Sequence, residues 1–150
     1  MAKLKILTDE NPALRLRSRP VAEINGRIRT LLDDLTDTMR RADGCGLAAP
    51  QVGVLRRVVV VETEPGTVYE LINPVITGRE GHQREIEGCL SVPNRQGYTD
   101  RPMKVTVEAL DREGRMRTYV GEGLLARAFC HEIDHLDGIL YTDHAEMIEE

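Results

Sequence analysis

The sequence is poor in aromatic residues: it has no tryptophan, one phenylalanine and four tyrosines among 150 residues. A core must therefore be built mainly from leucine, isoleucine, valine and alanine. The chain also lacks any apolar run long enough to cross a membrane, and its first residues lack the apolar stretch of a signal peptide. We therefore expect a cytoplasmic protein without membrane contacts.

Basic residues are outnumbered, with 20 lysines and arginines against 25 aspartates and glutamates and a net charge of -5. This balance argues against a nucleic-acid binder, which needs a basic face to neutralise phosphates. Three cysteines at scattered spacings argue against a disulfide framework. Without internal repeats or a linker, the length predicts a single domain over residues 1–150.

Apolar periodicity predicts two helices and several antiparallel strands. The predicted elements are an amphipathic helix over residues 24–39, loop and short strand over 44–53, a buried strand over 58–61, a strand over 69–72 ended by Asn73 and Pro74, a hairpin of strands 104–110 and 116–120, and a helix over about 122–136 stopped by Gly138. Such a mixture is typical of an α+β domain.

The second predicted helix carries the motif His131-Glu132-Ile133-Asp134-His135. Two imidazoles four positions apart share one helix face and can bind the same metal ion, while the glutamate between them can move protons to and from water. A catalytic site of this kind usually needs a third protein ligand. The short downstream segment offers Asp137, Asp143 and His144 for that role.

A sharper candidate for the third ligand lies upstream, at Cys89 in the segment Glu-Gly-Cys-Leu-Ser. A thiolate is a strong, soft ligand, and the glycine beside it lets the backbone approach an ion closely. One further segment, Gly-Cys-Gly-Leu-Ala-Ala-Pro-Gln over residues 44–51, is rich in small residues and suits a tight wall around a ligand.

These three segments, in this order, resemble the signature of bacterial peptide deformylases, and the likeness extends from about residue 6 to 142. The resemblance implies an α+β fold with antiparallel sheets around a central metal-bearing helix. It implies removal of the N-formyl group from the initiator methionine of nascent polypeptides, with release of formate. It also implies one divalent metal ion per chain, of which Fe(II) is expected and Zn(II), Ni(II) or Co(II) is acceptable in purified protein.

The resemblance also assigns roles to residues. Cys89, His131 and His135 are expected to hold the metal, Glu132 to carry protons, and Gln51 and the backbone N–H of Leu90 to stabilise the developing oxyanion. The substrate is expected to bind in an extended form along a sheet edge. The residues expected at its binding site are Gly44, Gly46, Ile86, Glu87 and Phe129.

Other residues stay open or have a simpler interpretation. Cys45 and Cys130 are interpreted as core cysteines, Glu87 as either a structural partner or a substrate contact, and Asp134 as either a solvated residue or a partner of the metal site. The arginines at positions 15, 17 and 19 fit a solvated loop, or a contact with the ribosome exit region.

Two other classes of function remain compatible with the motifs. A metallopeptidase with the same helix would cleave peptide bonds and release amino acids instead of formate. A non-catalytic, metal-stabilised binding module would normally close its site with four protein ligands. Cys45 is the only rival for a fourth ligand in the sequence.

Overall fold

The computed structural model describes residues 4–149, which form two α-helices and eight β-strands. The helices are α1 (Gly26–Arg41) and α2 (Leu124–Leu136). The strands are β1 (Gly46–Ala48), β2 (Val58–Glu64), β3 (Thr67–Glu80), β4 (Gln83–Cys89), β5 (Val92–Arg101), β6 (Lys104–Leu110), β7 (Met116–Glu122) and β8 (Glu146–Met147). Short 3-10 helices span Pro12–Arg15, Ala49–Val52 and Tyr141–Asp143.

The strands form two antiparallel sheets. A five-stranded sheet has the order β1-β2-β3-β6-β7, and a three-stranded sheet has the order β4-β5-β8. The predicted α+β class with antiparallel sheets is confirmed. No helix within residues 4–149 is long and apolar enough to cross a membrane.

The valine run at the start of β2 is buried because helices cover both faces of the five-stranded sheet. Val59 and Val61 belong to the hydrophobic cluster around α2, whereas Val58 and Val60 belong to the cluster around α1. All four are fully buried. A strand covered on both faces reads as a continuous apolar run instead of an alternating one, as the sequence predicted.

The predicted end of the next strand at Asn73 and Pro74 was wrong, because β3 continues to Glu80. The pairing of β3 with β6 shifts register between Ile72 and Val75, so a bulge absorbs the proline at a point where no ladder N–H is required. Asn73 has a positive φ of 52° and its side-chain amide bonds both backbone groups of Val21, at 2.8 and 2.9 Å.

The start of the second helix also differs from the prediction. Glu122 is the last residue of β7, and Gly123, with a φ of 59°, makes the turn into α2, which begins at Leu124. The predicted stop at Gly138 is confirmed, since this residue has a φ of 74° just after the helix ends.

The strands β4, β5 and β8 were missed. Polar and charged side chains fill most of β4 and β5, so neither has the apolar alternation on which the prediction depended.

Candidate metal centre and active site

Three side chains from two elements converge at the metal-binding motif. His131 and His135 lie on α2, and Cys89 ends β4. One donor atom from each of the three lies within 4.8 Å of the others, and Cys89 Sγ is 3.4 Å from His135 Nε2. Both histidines are buried, at 8% and 1% exposure. The structure therefore brings together the three ligands expected from the sequence.

The spacing of these donors fits a tetrahedral metal site. Metal–sulfur and metal–nitrogen bonds of about 2.3 and 2.1 Å at a tetrahedral angle separate the two donor atoms by about 3.6 Å. The sulfur–nitrogen distance of 3.4 Å between Cys89 and His135 is close to that value. Three protein donors leave one tetrahedral position for water or substrate, as catalytic sites require.

A buried ionic network orients His131. Its Nδ1–H donates to Glu87 Oε1 at 3.0 Å, which leaves Nε2 to face the other two donors. Glu87 also accepts hydrogen bonds from Arg101, at 2.9 and 3.0 Å, and from the hydroxyl of Thr99, at 2.5 Å. Arg101 also donates to Asp134 at 2.8 Å. Carboxylates that hold a ligand histidine in this way fix its tautomer and ring orientation.

The same network keeps Glu87 ionised. Burial by itself would raise the pKa of this carboxyl, but hydrogen bonds from His131 and Arg101 outweigh it and hold the pKa well below the usual range. Glu87 thus bonds one of the three expected ligands directly, and Asp134 is connected to it through Arg101. Arg101 was missed, because in the sequence it is one arginine among many on a polar strand. Pairing of β5 with β4 gives it Glu87 and the approach of β5 to α2 gives it Asp134, and no local sequence pattern reveals either contact.

Glu132 lies against the backbone of β1. A Cβ added to Gly46 would be 2.5 Å from Glu132 Oε2 and 2.8 Å from both its Cγ and Cδ, so only glycine leaves room for this side chain. Glu132 is 5% exposed, and within residues 4–149 its Oε1 has no hydrogen-bond partner. Burial raises its pKa to about 7, a value at which a carboxyl can both accept and release a proton.

Gln51 points its amide nitrogen towards the metal ligands. Its Oε1 accepts the N–H of Ala48 at 2.9 Å, and because that N–H can only donate, the orientation of the amide is fixed. Its Nε2 then donates to the buried hydroxyl of Ser91 at 3.0 Å and to Cys89 Sγ at 3.7 Å. Leu90 lies beside this group, with its side chain against Gly44. A donor aimed at the reaction centre suits the stabilisation of an oxyanion.

Tyr141 supports the centre from a third direction. Its ring stacks on His131 at a centroid distance of 5.9 Å, and its hydroxyl donates to the backbone oxygen of Arg95 at 3.1 Å. Sequence reasoning missed this residue, which follows α2 in a 3-10 helix. It connects the metal-bearing helix with β5.

These groups open into a cavity of about 800 Å³. Its lining includes the expected residues Gly44, Gly46, Gln51, Ile86, Glu87, Cys89, Leu90, His131 and Glu132. Two placements differ from expectation. Phe129 does not line the cavity but is fully buried in the core, with its ring edge-to-face on Tyr69 at 5.4 Å. Cys45, expected in the core, is exposed on the cavity wall because it precedes β1, whereas Cys130 is buried as predicted.

Comparisons with known proteins agree with this geometry. The model of the polypeptide deformylase family matches residues 3–150. A peptide deformylase from Alkaliphilus metalliredigens is 54% identical over 143 residues, which cover 95% of this chain and 97% of that protein. The crystal structure of a peptide deformylase from Legionella pneumophila has a TM-score of 0.93 and 42% identity, covering 95% of this chain and 86% of the other. A peptide deformylase from Synechococcus elongatus in complex with actinonin has a TM-score of 0.92 and 37% identity, covering 95% and 80%.

Proposed function

Since the chain belongs to the polypeptide deformylase family, it acts as a metal-dependent hydrolase that removes the N-formyl group from nascent polypeptides, and we propose which of its residues carry out this reaction. The observation that supports the assignment is the convergence of one thiol and two imidazoles beside a cavity that a buried glutamate and an oriented amide also line. The whole reaction is assigned to one catalytic domain over residues 1–150.

Cys89, His131 and His135 hold the metal ion, with Glu87 fixing the ring of His131 from behind. A divalent ion bound there acts as a Lewis acid on a carbonyl oxygen and makes water more acidic. Arg101 neutralises Glu87, so that the histidine keeps a charged acceptor without leaving an unpaired anion in the core.

Glu132 carries the protons. It accepts one from the water that attacks the formyl carbon, and it passes that proton to the nitrogen of the departing methionine. The carbon–nitrogen bond then breaks, and the products are formate and a free amino terminus. Gly46 holds the Glu132 side chain in place by leaving it space.

Gln51 and the backbone N–H of Leu90 stabilise the oxyanion that develops on the formyl group. Ser91 supports this role. Its hydroxyl accepts a hydrogen bond from one N–H of the Gln51 amide, and the other N–H of that amide points towards Cys89. The substrate binds in an extended form, and the wall formed by Gly44 and Gly46 restricts the acyl group to formyl. Ile86, 45% exposed on the cavity lining, contacts the substrate.

The ion used in the cell is proposed to be Fe(II). A thiolate with two imidazoles suits both iron and zinc, and the affinity series favours zinc. The argument for iron is instead the resemblance to deformylases. After removal of metal by a chelator and reloading without oxygen, the iron form should turn over faster than the zinc form and lose activity in air. Comparable turnover of both forms, with an air-stable iron form, would contradict the assignment.

The surroundings of the enzyme follow from its substrate. Nascent formyl-methionyl chains emerge at the ribosome, so we propose that the protein works in the cytoplasm near the exit region. In the segment that carries the three arginines, Arg15 pairs with Asp143 and Arg17 approaches Asp137. The side chain of Arg17 is still 81% exposed, so it is free to make such a contact.

Formate release from a formyl-methionyl peptide, with metal analysis of the same anaerobic sample, tests the function. Release of amino acids instead of formate would indicate a metallopeptidase. Replacement of Cys89, His131 or His135 by alanine should remove or weaken metal binding, while Cys45→Ala and Cys130→Ala should keep the ion. A Cys130→Ala variant that loses its metal while Cys89→Ala keeps it would overturn the ligand assignment.

The role of Glu132 has its own test. Glu132→Gln keeps the three ligands and should bind metal normally, but its activity should fall at least ~100-fold, the usual loss for a general acid–base group. Deformylation by this variant at the wild-type rate would exclude Glu132 as the proton carrier.

A further inference from the structure

Two arginines line the active-site cavity without a carboxylate partner. Arg95 lies on β5 and Arg127 lies on α2, so they belong to different walls. Neither forms an ion pair with any residue in the range 4–149. Some arginines elsewhere in the fold do form ion pairs: Arg57 pairs with Asp137, and Arg112 pairs with Asp33 and Glu70.

Arg127 has an unusual environment for a cation. Its side chain is partly buried, and its Nε lies out of solvent without a hydrogen-bond partner among residues 4–149. Arg127 is the only arginine in that part of the chain with such a nitrogen. A buried donor without an acceptor is unfavourable, because it has lost its hydrogen bonds to water and no protein acceptor replaces them. Arg127 also lines the cavity, so an acceptor bound there can reach the exposed part of its side chain, whereas Nε itself stays out of solvent.

Both cations lie close to the reaction centre. Arg127 is one helical turn before His131 on the same face of α2. The backbone of Arg95 is bonded to Tyr141, whose ring stacks on His131. An extended substrate advances by about 3.3 Å per residue, so the second and third residues of a nascent chain pass within reach of long side chains placed here.

None of the three carboxylates on the cavity lining forms an ion pair with these arginines. Glu87 is already neutralised by Arg101, and Glu132 is almost completely buried. Asp43 is the remaining carboxylate on the lining. The chain as a whole has a net charge of -5, so its overall field does not attract acidic peptides. A preference for them has to come from local contacts with the two arginines.

We propose that Arg95 and Arg127 make the enzyme select nascent chains with aspartate or glutamate at the second or third position. This inference rests on the proposed deformylase function and specifies its substrate class. The carboxylate of the substrate accepts hydrogen bonds from the guanidinium groups.

The test uses amidated formyl-methionyl tripeptides that differ only in glutamate against glutamine at position two or three. The measured quantity is the ratio of kcat/KM for the two members of each pair, so general losses of activity cancel. A partly exposed ion pair changes such a ratio by roughly 2–5-fold. We expect a wild-type ratio of that size in favour of glutamate, with a decrease at high salt.

Variants then locate the effect. Arg95→Gln and Arg127→Gln should each lower the ratio, their combination should bring it near one, and Arg127→Lys should retain part of it. Arg115→Gln is the matched control, since Arg115 is exposed in the turn between β6 and β7 and lies outside the cavity. Its ratio should equal that of the wild type.

Three results would overturn the proposal: equal rates for glutamate and glutamine peptides in the wild type, an unchanged ratio in the double variant, or the same decrease in the control. An equal loss on both peptides in Arg127→Gln would also count against it, because the guanidinium would then bind the peptide backbone. Failure to release formate from any of these peptides contradicts the proposed function instead, so the two failures are distinguishable.

Discussion

Replacement of Gly46 by alanine should disable the enzyme without removing its metal. The added Cβ would lie 2.5 Å from Glu132 Oε2 and 2.8 Å from Cγ and Cδ of the same side chain. Glu132 is 5% exposed and packed between α2 and β1, so it cannot avoid the methyl group by turning into solvent. The carboxylate must move, while the three atoms nearest to the new Cβ all belong to Glu132 and none to Cys89, His131 or His135.

The size of the effect follows from the displacement. A normal contact needs about 3.5 Å, so the carboxylate has to retreat by about 1 Å. A misplacement of about 1 Å costs roughly 100-fold in a reaction that depends on alignment, and loss of a general base costs about 100-fold to 10,000-fold. We therefore expect Gly46→Ala to lower kcat for formate release by at least ~100-fold, with metal content near that of the wild type.

A matched control separates this effect from the general cost of a glycine replacement. Gly26 is the first residue of α1, and a Cβ there meets no other atom within 4 Å, so Gly26→Ala should keep wild-type activity. Metal content, kcat and the thermal midpoint are measured for both variants. The midpoint also shows whether Gly46→Ala is folded at the assay temperature.

A double variant tests the reasoning itself. In a Glu132→Ala background the atoms that clash with the new methyl are gone, so Gly46→Ala should cause little further loss. Two positions that act through one contact are non-additive, whereas independent positions add. Wild-type activity in Gly46→Ala, or an equal additional loss in both backgrounds, would refute the claim that Gly46 acts by making room for Glu132.

Three further predictions concern charges and thiols. Arg101→Met should lower the free energy of unfolding by about 3–5 kcal/mol, because it leaves Glu87 buried without its cation. Urea denaturation measures this loss, and a smaller loss in the double variant Arg101→Met/Glu87→Gln would confirm the cause. Hydrogen bonding to Arg40 lowers the pKa of Glu62 from 4.5 to about 2, so its stabilising effect is complete above pH 4.5 and is lost as the pH falls towards 2. Arg40→Gln should remove that part of the acid-induced decrease in stability, and an unchanged pH profile would contradict it. Burial raises the pKa of Cys130 to about 11, so iodoacetamide at pH 7.5 should leave Cys130 unmodified in the folded protein, as peptide mass analysis would show.

The sequence predicted those parts of the fold that are determined locally. The helix face of His131 and His135 follows from a spacing of four residues, and the burial of β2 follows from its valines. The helix stop at Gly138 is similarly local, since a positive φ favours glycine. Each of these conclusions depends on the neighbours of a residue along the chain.

The missed features depend on contacts between distant segments. Asn73 holds β3 together through a bulge because it bonds to Val21, 52 residues earlier. The exposure of Cys45 and the burial of Phe129 depend on how β1 and α2 meet, since both elements contribute to the cavity wall and to the core. Amino-acid type indicates whether a residue is apolar, but not whether the fold places it in the core or on the cavity wall.

The most consequential of these distant contacts is the buried network around Arg101. It bonds to Glu87 on the neighbouring strand and to Asp134 on α2, and Glu87 in turn orients His131. A buried ion pair adds little net stability, because desolvation of the charges offsets their attraction. Its charged hydrogen bonds are directional, however, and they fix the three-stranded sheet relative to the helix. Since Cys89 comes from that sheet and the two histidines come from the helix, this network sets the separation of the three proposed metal ligands.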